Sequence, residues 1–256
     1  MTVRPWLVAL VSVSALAAWT DAAPAGPARY RVEVKTAVTQ DLTAVGQGEQ
    51  KQEFTNTGFV TVTMKDSAGG QAVTIVLDSL LPGEGSPFVG EMATGAAGTT
   101  WTGFRQPNGR VKELKSGSEN PAANTMQGVL QQLLPPMKAG TREGQAWTDT
   151  TESDNDGVAV RTVTNFQTTG ETVNGAKVLR LAGASSTAMS GQQNGPQGSM
   201  SLEGNGTATS SWLVAADGTC LSSSFAGTQN IAVTVAQLPE PIPVTVKLEG
   251  STTLLK

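Results

Sequence analysis

The chain has 256 residues, a formal net charge of −4, one cysteine and no histidine. Without histidine there is no Ser-His-Asp or Cys-His nucleophile pair, and a zinc site would lack both His and paired Cys. A single thiol excludes an intramolecular disulfide, and a mildly acidic chain with no basic run is a poor partner for nucleic acid or an anionic membrane surface.

The first segment is read as a secretory signal peptide spanning residues 1–25. Arg4 supplies a basic start, Trp6 to Trp19 form an apolar core, and small residues follow. Ala23-Pro24-Ala25 fits an A-x-A site, which places cleavage after Ala25, with Ala22 as the runner-up. The apolar core is shorter than the roughly 20 residues that a membrane span needs, and no later stretch is long enough. The expected location is the periplasm or the exterior. Residues 26–256 are read as a single β-rich domain, with two domains as an option, since strand-rich halves flank one helix.

Alternation then dominates. In "YRVEVKTAV", Tyr30, Val32, Val34 and Val38 share one face, and Arg31, Glu33 and Lys35 take the other. That pattern marks a strand with one face buried and one in water. "FTNTGFVTVTMKD" repeats it through Phe54, Val60, Val62 and Met64, and "QAVTIVLDSL" is more uniformly apolar. Gly83 to Gly98, rich in Gly, Ala and Pro, is expected to be a flexible loop. Thr100 to Leu114 is read as a hairpin about "PNG".

A helix is expected over Pro121–Leu134. Met126, Val129, Leu130, Leu133 and Leu134 recur at helical spacing and form one apolar stripe. Asn120 is its N-cap, Pro121 suits its first position, and Pro135 and Pro136 end it. The stripe either packs as plain core or plugs a concave groove and lines a ligand site.

Next comes "ESDNDG". Glu152, Asp154, Asp156 and Gly157 mimic the first half of a calcium loop, but the position of the bidentate glutamate falls at Val163. A solvated turn is the alternative to a loose Ca²⁺ site. "GVAVRTVTNF" follows, and then "AKVLRLAG" after an Asn174-Gly175 turn. Ser185 to Gly198 is expected to be a second flexible loop. "SSWLVAADGTCLSSSF" is a hairpin about Asp217-Gly218. A two-residue loop there pairs Cys220 with Ala215 and puts Cys220 on the face opposite Trp212 and Val214. Trp101, Trp147 and Trp212 could stack on sugars or fill the core. "IPVTVKLEGSTTLL" is the last strand. Glycines at 46, 58, 204 and 206 mark bulges and bends.

"LLPPMKAGTREGQAWTDT" resembles a segment of exported bacterial β-rich proteins of unknown function, in which a Leu-Pro pair precedes Gly-x-x-Trp, here Gly144 and Trp147. The "DGTCLSS" hairpin and the closing "PEPIPVTVKLEGSTTLL" also look like that group. More loosely, long antiparallel strands with a mid-chain helix resemble the half-barrel of lipoprotein carriers of the LolA/LolB type, a likeness of fold that does not by itself carry function.

The expected fold is all-β, a strongly curved antiparallel sheet or open half-barrel of roughly ten strands with one amphipathic helix on the concave face. The expected function is that of an exported, non-enzymatic binding protein for a lipid or other apolar small molecule, without a cofactor. The alternatives are a structural or protein-interaction module of the cell envelope with a filled core, its partner an envelope protein, and a carboxylate-dependent glycan hydrolase.

Overall fold

The computed structural model describes residues 26–255 apart from 44, 45, 139, 156, 196, 197, 236, 237 and 239. The expected signal peptide and Asp156 lie outside the described residues. Among the described residues, eleven strands form one sheet: β1 (Ala28–Leu42), β2 (Gly48–Ser67), β3 (Gly70–Pro82), β4 (Thr100–Arg105), β5 (Val111–Ser116), β6 (Ala146–Asn155), β7 (Val158–Val173), β8 (Ala176–Gly195), β9 (Gly198–Val214), β10 (Cys220–Val235) and β11 (Ile242–Leu254). A short α1 (Glu91–Thr94) precedes β4, and α2 (Pro121–Leu130) follows β5 and runs into a 3-10 turn, Gln131–Leu133.

Neighbouring strands in the order β5-β4-β3-β2-β1-β11-β10-β9-β8-β7-β6 are hydrogen-bonded, and all the pairings are antiparallel. The chain therefore starts at the centre of the sheet, meanders out to the β5 edge, and crosses to the β6 edge. It then meanders back until β11 pairs with β1. The crossing is made by α2. The sheet is curved and open, with α2 on its concave face, where the helix meets β5 and its 3-10 turn meets β10.

The concave face follows from the period of two. Val32, Val34, Val60, Val62, Ile75 and Trp101 point inward and are buried, and they meet Met126, Val129, Leu130, Leu133 and Leu134 in one apolar core. Burying each such side chain stabilises the fold by about 1.5–3 kcal/mol. Gly58 faces α2 from β2, where an added Cβ would lie 2.9 Å from Met126 Cε. The missing side chain lets the helix sit close to the sheet. Beside Gly58 the β2–β3 register shifts between Phe59 and Val60, where Asp78 of β3 is the extra residue.

Each end of α2 is held by a polar contact. Asn120 Oδ1 accepts from the backbone N–H groups of Ala122 and Ala123. At the exit, buried Arg105 of β4 donates to the carbonyls of Pro135 and Met137, at 3.2 and 3.4 Å, and Trp212 Nε1 of β9 donates to Gln132 O at 2.8 Å. One helix end is thus tied to both halves of the sheet.

Three expectations are corrected. Ser185 to Gly198 is not a loop, because β8 and β9 run through it and pair as far as Gly195 with Gly198. Low complexity hid the strand, yet strand pairing satisfies the backbone whatever the side chains are. The segment Gly83 to Gly98 folds back on β2: Gly83 N–H donates to Thr55 O, Ser86 Oγ donates to Asn56 Oδ1, and Phe88 meets Phe54 edge-on at 6.3 Å. Cys220 pairs with Val214 rather than Ala215 and is buried on the same side as Trp212 and Val214. The turn is closed by Ala215 N–H to Thr219 O, and the extra residue is absorbed at a register shift between Cys220 and Ser222. A shift of one residue exchanges the two faces of a strand.

Candidate functional site

The apolar core fills only part of the concave face. Strands β7 to β11 extend beyond it, and their alternation does not stop there. Val244, Ile231, Gly204, Met189 and Val160 lie in register across β11, β10, β9, β8 and β7. Val38 pairs with Val246 next to them. These side chains are half-buried and lie outside the core around α2, whereas sequence neighbours such as Asn230, Glu203, Ser190 and Arg161 are exposed on the convex side. An inward apolar row with incomplete cover remains. The signal for it was present in the sequence as alternation, but the register that assembles the row was not.

Two cavities lie one inward position along the strands from this row: Thr187, Gly206, Gln229 and Val246, each two residues from a member of the row, border the smaller, and Thr162 borders the larger. The smaller, about 260 Å³, lies between α2 and β8–β11 and is bordered by Gly128, Phe225, Val246 and Leu248. A Cβ at Gly128 would meet nothing within 4 Å, so the helix faces open space there. The larger, about 740 Å³, lies between the β4–β5 hairpin, the 3-10 turn and the concave side of β6–β9. Phe166 and Trp212 border it, with Thr162, Thr164 and Ser185 as hydroxyl neighbours. Thr162 and Thr187 hydroxyls meet at 2.9 Å, and those of Thr164 and Ser185 at 2.8 Å. Gln132, Ser185 and Ser210 border both cavities, which makes them the neck between the two.

The mouth of the larger cavity is crossed by an ion pair. Arg110, at the turn before β5, donates from Nε to Asp149 Oδ2 of β6 at 2.9 Å and from Nη2 to Thr150 O at 3.0 Å. This contact joins the two edges of the sheet that do not pair with each other. Arg110 and Asp149 are 39 residues apart, a pairing with no local sequence signature.

All five residues of the helix stripe, Met126, Val129, Leu130, Leu133 and Leu134, are buried in the core. Of these, Leu134 also borders the larger cavity. The helix residues that meet open space are off the stripe: Gly128, Gln131 and Gln132. Sequence reasoning passed over them because an apolar stripe draws attention to the side that packs.

Glu152 pairs with Arg161 at 3.3 Å, and Asp154 Oδ1 accepts from Gly157 N–H at 2.9 Å. Both are exposed residues at the end of β6, with side chains engaged in turn and cross-strand contacts. Asp156 lies outside the described residues. Among the described residues, no group of three or more His, Cys, Asp or Glu is arranged to hold a metal ion. Trp101 and Trp212 are core residues, and Trp147 stacks on Phe166 at 5.2 Å. Among the described residues no helix is long and apolar enough to cross a membrane. Burial pushes the Cys220 thiol up to about 12, which leaves it protonated and unreactive as a nucleophile near neutral pH.

No protein-family model matches the chain. No curated protein matches it either. Among solved structures, DynF from the dynemicin biosynthesis pathway of Micromonospora chersina is 12% identical with a TM-score of 0.23, covering 99% of this chain and 93% of its own. OccAB4 of Acinetobacter baumannii is 7% identical with a TM-score of 0.25, covering 89% and 98%. A loop-deletion mutant of OmpT, an outer membrane protein of Vibrio cholerae, is 7% identical with a TM-score of 0.22, covering 90% and 99%. Likenesses this weak establish neither a fold family nor an activity, and none bears on the resemblance to LolA/LolB-type carriers.

Proposed function

We propose that this chain is an exported, non-enzymatic binding protein for an apolar ligand, an acyl chain or a comparably slender hydrocarbon. The observation that carries the reading is the inward apolar row of Val160, Met189, Ile231 and Val244, half-buried and outside the core, which continues two residues along the strands into a cavity bordered by Val246, Leu248, Phe225 and the open flank of Gly128. Apolar surface held on the concave side of a curved sheet without its own side-chain cover is stabilised when a hydrocarbon displaces water from it, at roughly 25 cal/mol per Å². A second reading, an envelope module with a filled core, draws support from the burial of all five stripe residues.

Gly128→Leu separates the two. The new side chain enters open space and improves helix propensity by roughly 0.7–1 kcal/mol. Binding of a fluorescent fatty acid by the parent protein, lost in Gly128→Leu with thermal stability kept or raised, is the expected result. A parent protein that binds no fatty acid and carries none in native mass spectrometry after purification from its own host would leave the filled-core module.

A further inference from the structure

We infer that the ligand is an amphiphile whose head is uncharged and rich in hydrogen-bond donors, a glycosyl or polyol group, seated in the larger cavity while its chain runs into the smaller one. This rests on the apolar-ligand reading and adds the chemistry of the other end. The two cavities adjoin at Gln132, Ser185 and Ser210, so one molecule can occupy both. They differ in degree. The smaller sets Ala208, Phe225, Val246 and Leu248 beside the polar Thr187 and Gln229. The larger is bordered by the amides of Gln106, Gln131 and Gln132 and the hydroxyls of Thr162, Thr164 and Ser210.

Charge argues against an anionic head. The charged side chains around the larger cavity are Arg110, Lys112, Asp149 and Glu152, two of each sign. Arg110 is committed to Asp149, and Glu152 to Arg161. Lys112 is the one cation left over, a single exposed side chain, so a carboxylate or phosphate entering there meets no cluster of positive charge.

The neck argues for donors. Gln132 Oε1 is buried and has no hydrogen-bond partner among the described residues. With the amide turned toward the neck, this acceptor can take a hydrogen bond from a ligand hydroxyl, which a carboxylate, having no donor, cannot give.

The test is calorimetric titration of the full mature chain with three probes below their micellar concentrations: dodecyl maltoside, dodecanoate and maltose. Dodecyl maltoside is expected to bind roughly tenfold tighter than dodecanoate, the factor one well-made hydrogen bond supplies, and maltose alone far more weakly than either. Gln132→Leu should remove that difference by weakening dodecyl maltoside and leaving dodecanoate unchanged. Ser210→Ala, a one-atom truncation at the same neck, should weaken dodecyl maltoside alone by about threefold and serves if Gln132→Leu does not fold. Dodecanoate binding as tightly as dodecyl maltoside overturns the head assignment and leaves the apolar-ligand reading standing. Maltose matching dodecyl maltoside overturns both, because the chain then contributes nothing. Failure of both alkyl probes to bind overturns the apolar-ligand reading itself.

Discussion

Cys220 shows how one residue's surroundings set its chemistry. It is 3% exposed beside Tyr30 and Val214, and burial raises its pKa from an ordinary 9.0 to about 12. The thiol of the unfolded chain therefore ionises first. As pH rises from about 9 towards 12, the unfolded state gives up a proton that the folded state retains, so stability that is complete below this window is lost within it. Burial also raises the Tyr30 phenol, with the negative charges of Cys220 and Asp217 adding to it, and its contribution has the same sign. Urea midpoints are expected to fall between pH 8 and about 10.5 in the parent and to fall less in Cys220→Ala. Equal slopes would show that the thiol is not the group responsible. Alkylation at pH 8 should be slow in the folded protein and fast in urea.

The helix is the element in which the two readings of the apolar stripe meet. Leu130 is 0% exposed and surrounded by core. Leu130→Ala is expected to cost about 2–5 kcal/mol in urea unfolding, the range for a rigid core that cannot close over the void. Leu134 borders the larger cavity and has fewer neighbours to lose, so Leu134→Ala should cost less. A Leu130→Ala cost near 1 kcal/mol would mean that this part of the helix covers space rather than fills it. Sequence periodicity identified the stripe and the start of the helix, since Asn120 and Pro121 act locally; the helix expected to reach Leu134 is instead an α-helix ending at Leu130 and a 3-10 turn to Leu133, short of the Pro135-Pro136 pair. Periodicity did not separate the packed stripe from the open flank at Gly128 and Gln132. That depends on how far the sheet extends beyond the helix, which no local spacing encodes.

At the scale of the whole molecule, the open sheet has two free edges, β5 and β6, and α2 lies between them in the chain. Arg110 and Asp149 bridge those edges in one place. The Arg110 side chain is 43% exposed, so the pair contributes at most about 1 kcal/mol to global stability. Its expected role is local. In Arg110→Ala, amide hydrogen exchange should accelerate in β5 and β6 with little change in the core strands, and amphiphile association and dissociation rates should rise together. A loss of several kcal/mol of global stability, or unchanged exchange at both edges, would exclude this local role.

The sequence by itself determined most of the elements and their polarity; the end of β6 and the far part of β8, expected as a turn and a loop, are the exceptions. Alternation in "YRVEVKTAV" and "IPVTVKLEG" sets which side chains face inward on β1 and β11, and helical spacing sets the stripe of α2, because backbone geometry alone imposes periods of 2 and 3.6. The antiparallel, all-β character followed from strand length and short connections. Tertiary structure decided what those elements enclose. The β1–β11 pairing joins residues more than 200 positions apart, such as Tyr30 and Leu254, and it sets the sheet order. The register across β7–β11 assembles Val160, Met189, Gly204, Ile231 and Val244 into one row. The bulge at Cys220 reverses the face that an ideal two-residue turn assigns. Each of these is a long-range pairing or a one-residue register choice, and its free energy comes from the whole concave face being buried at once, so no short window of the chain contains it.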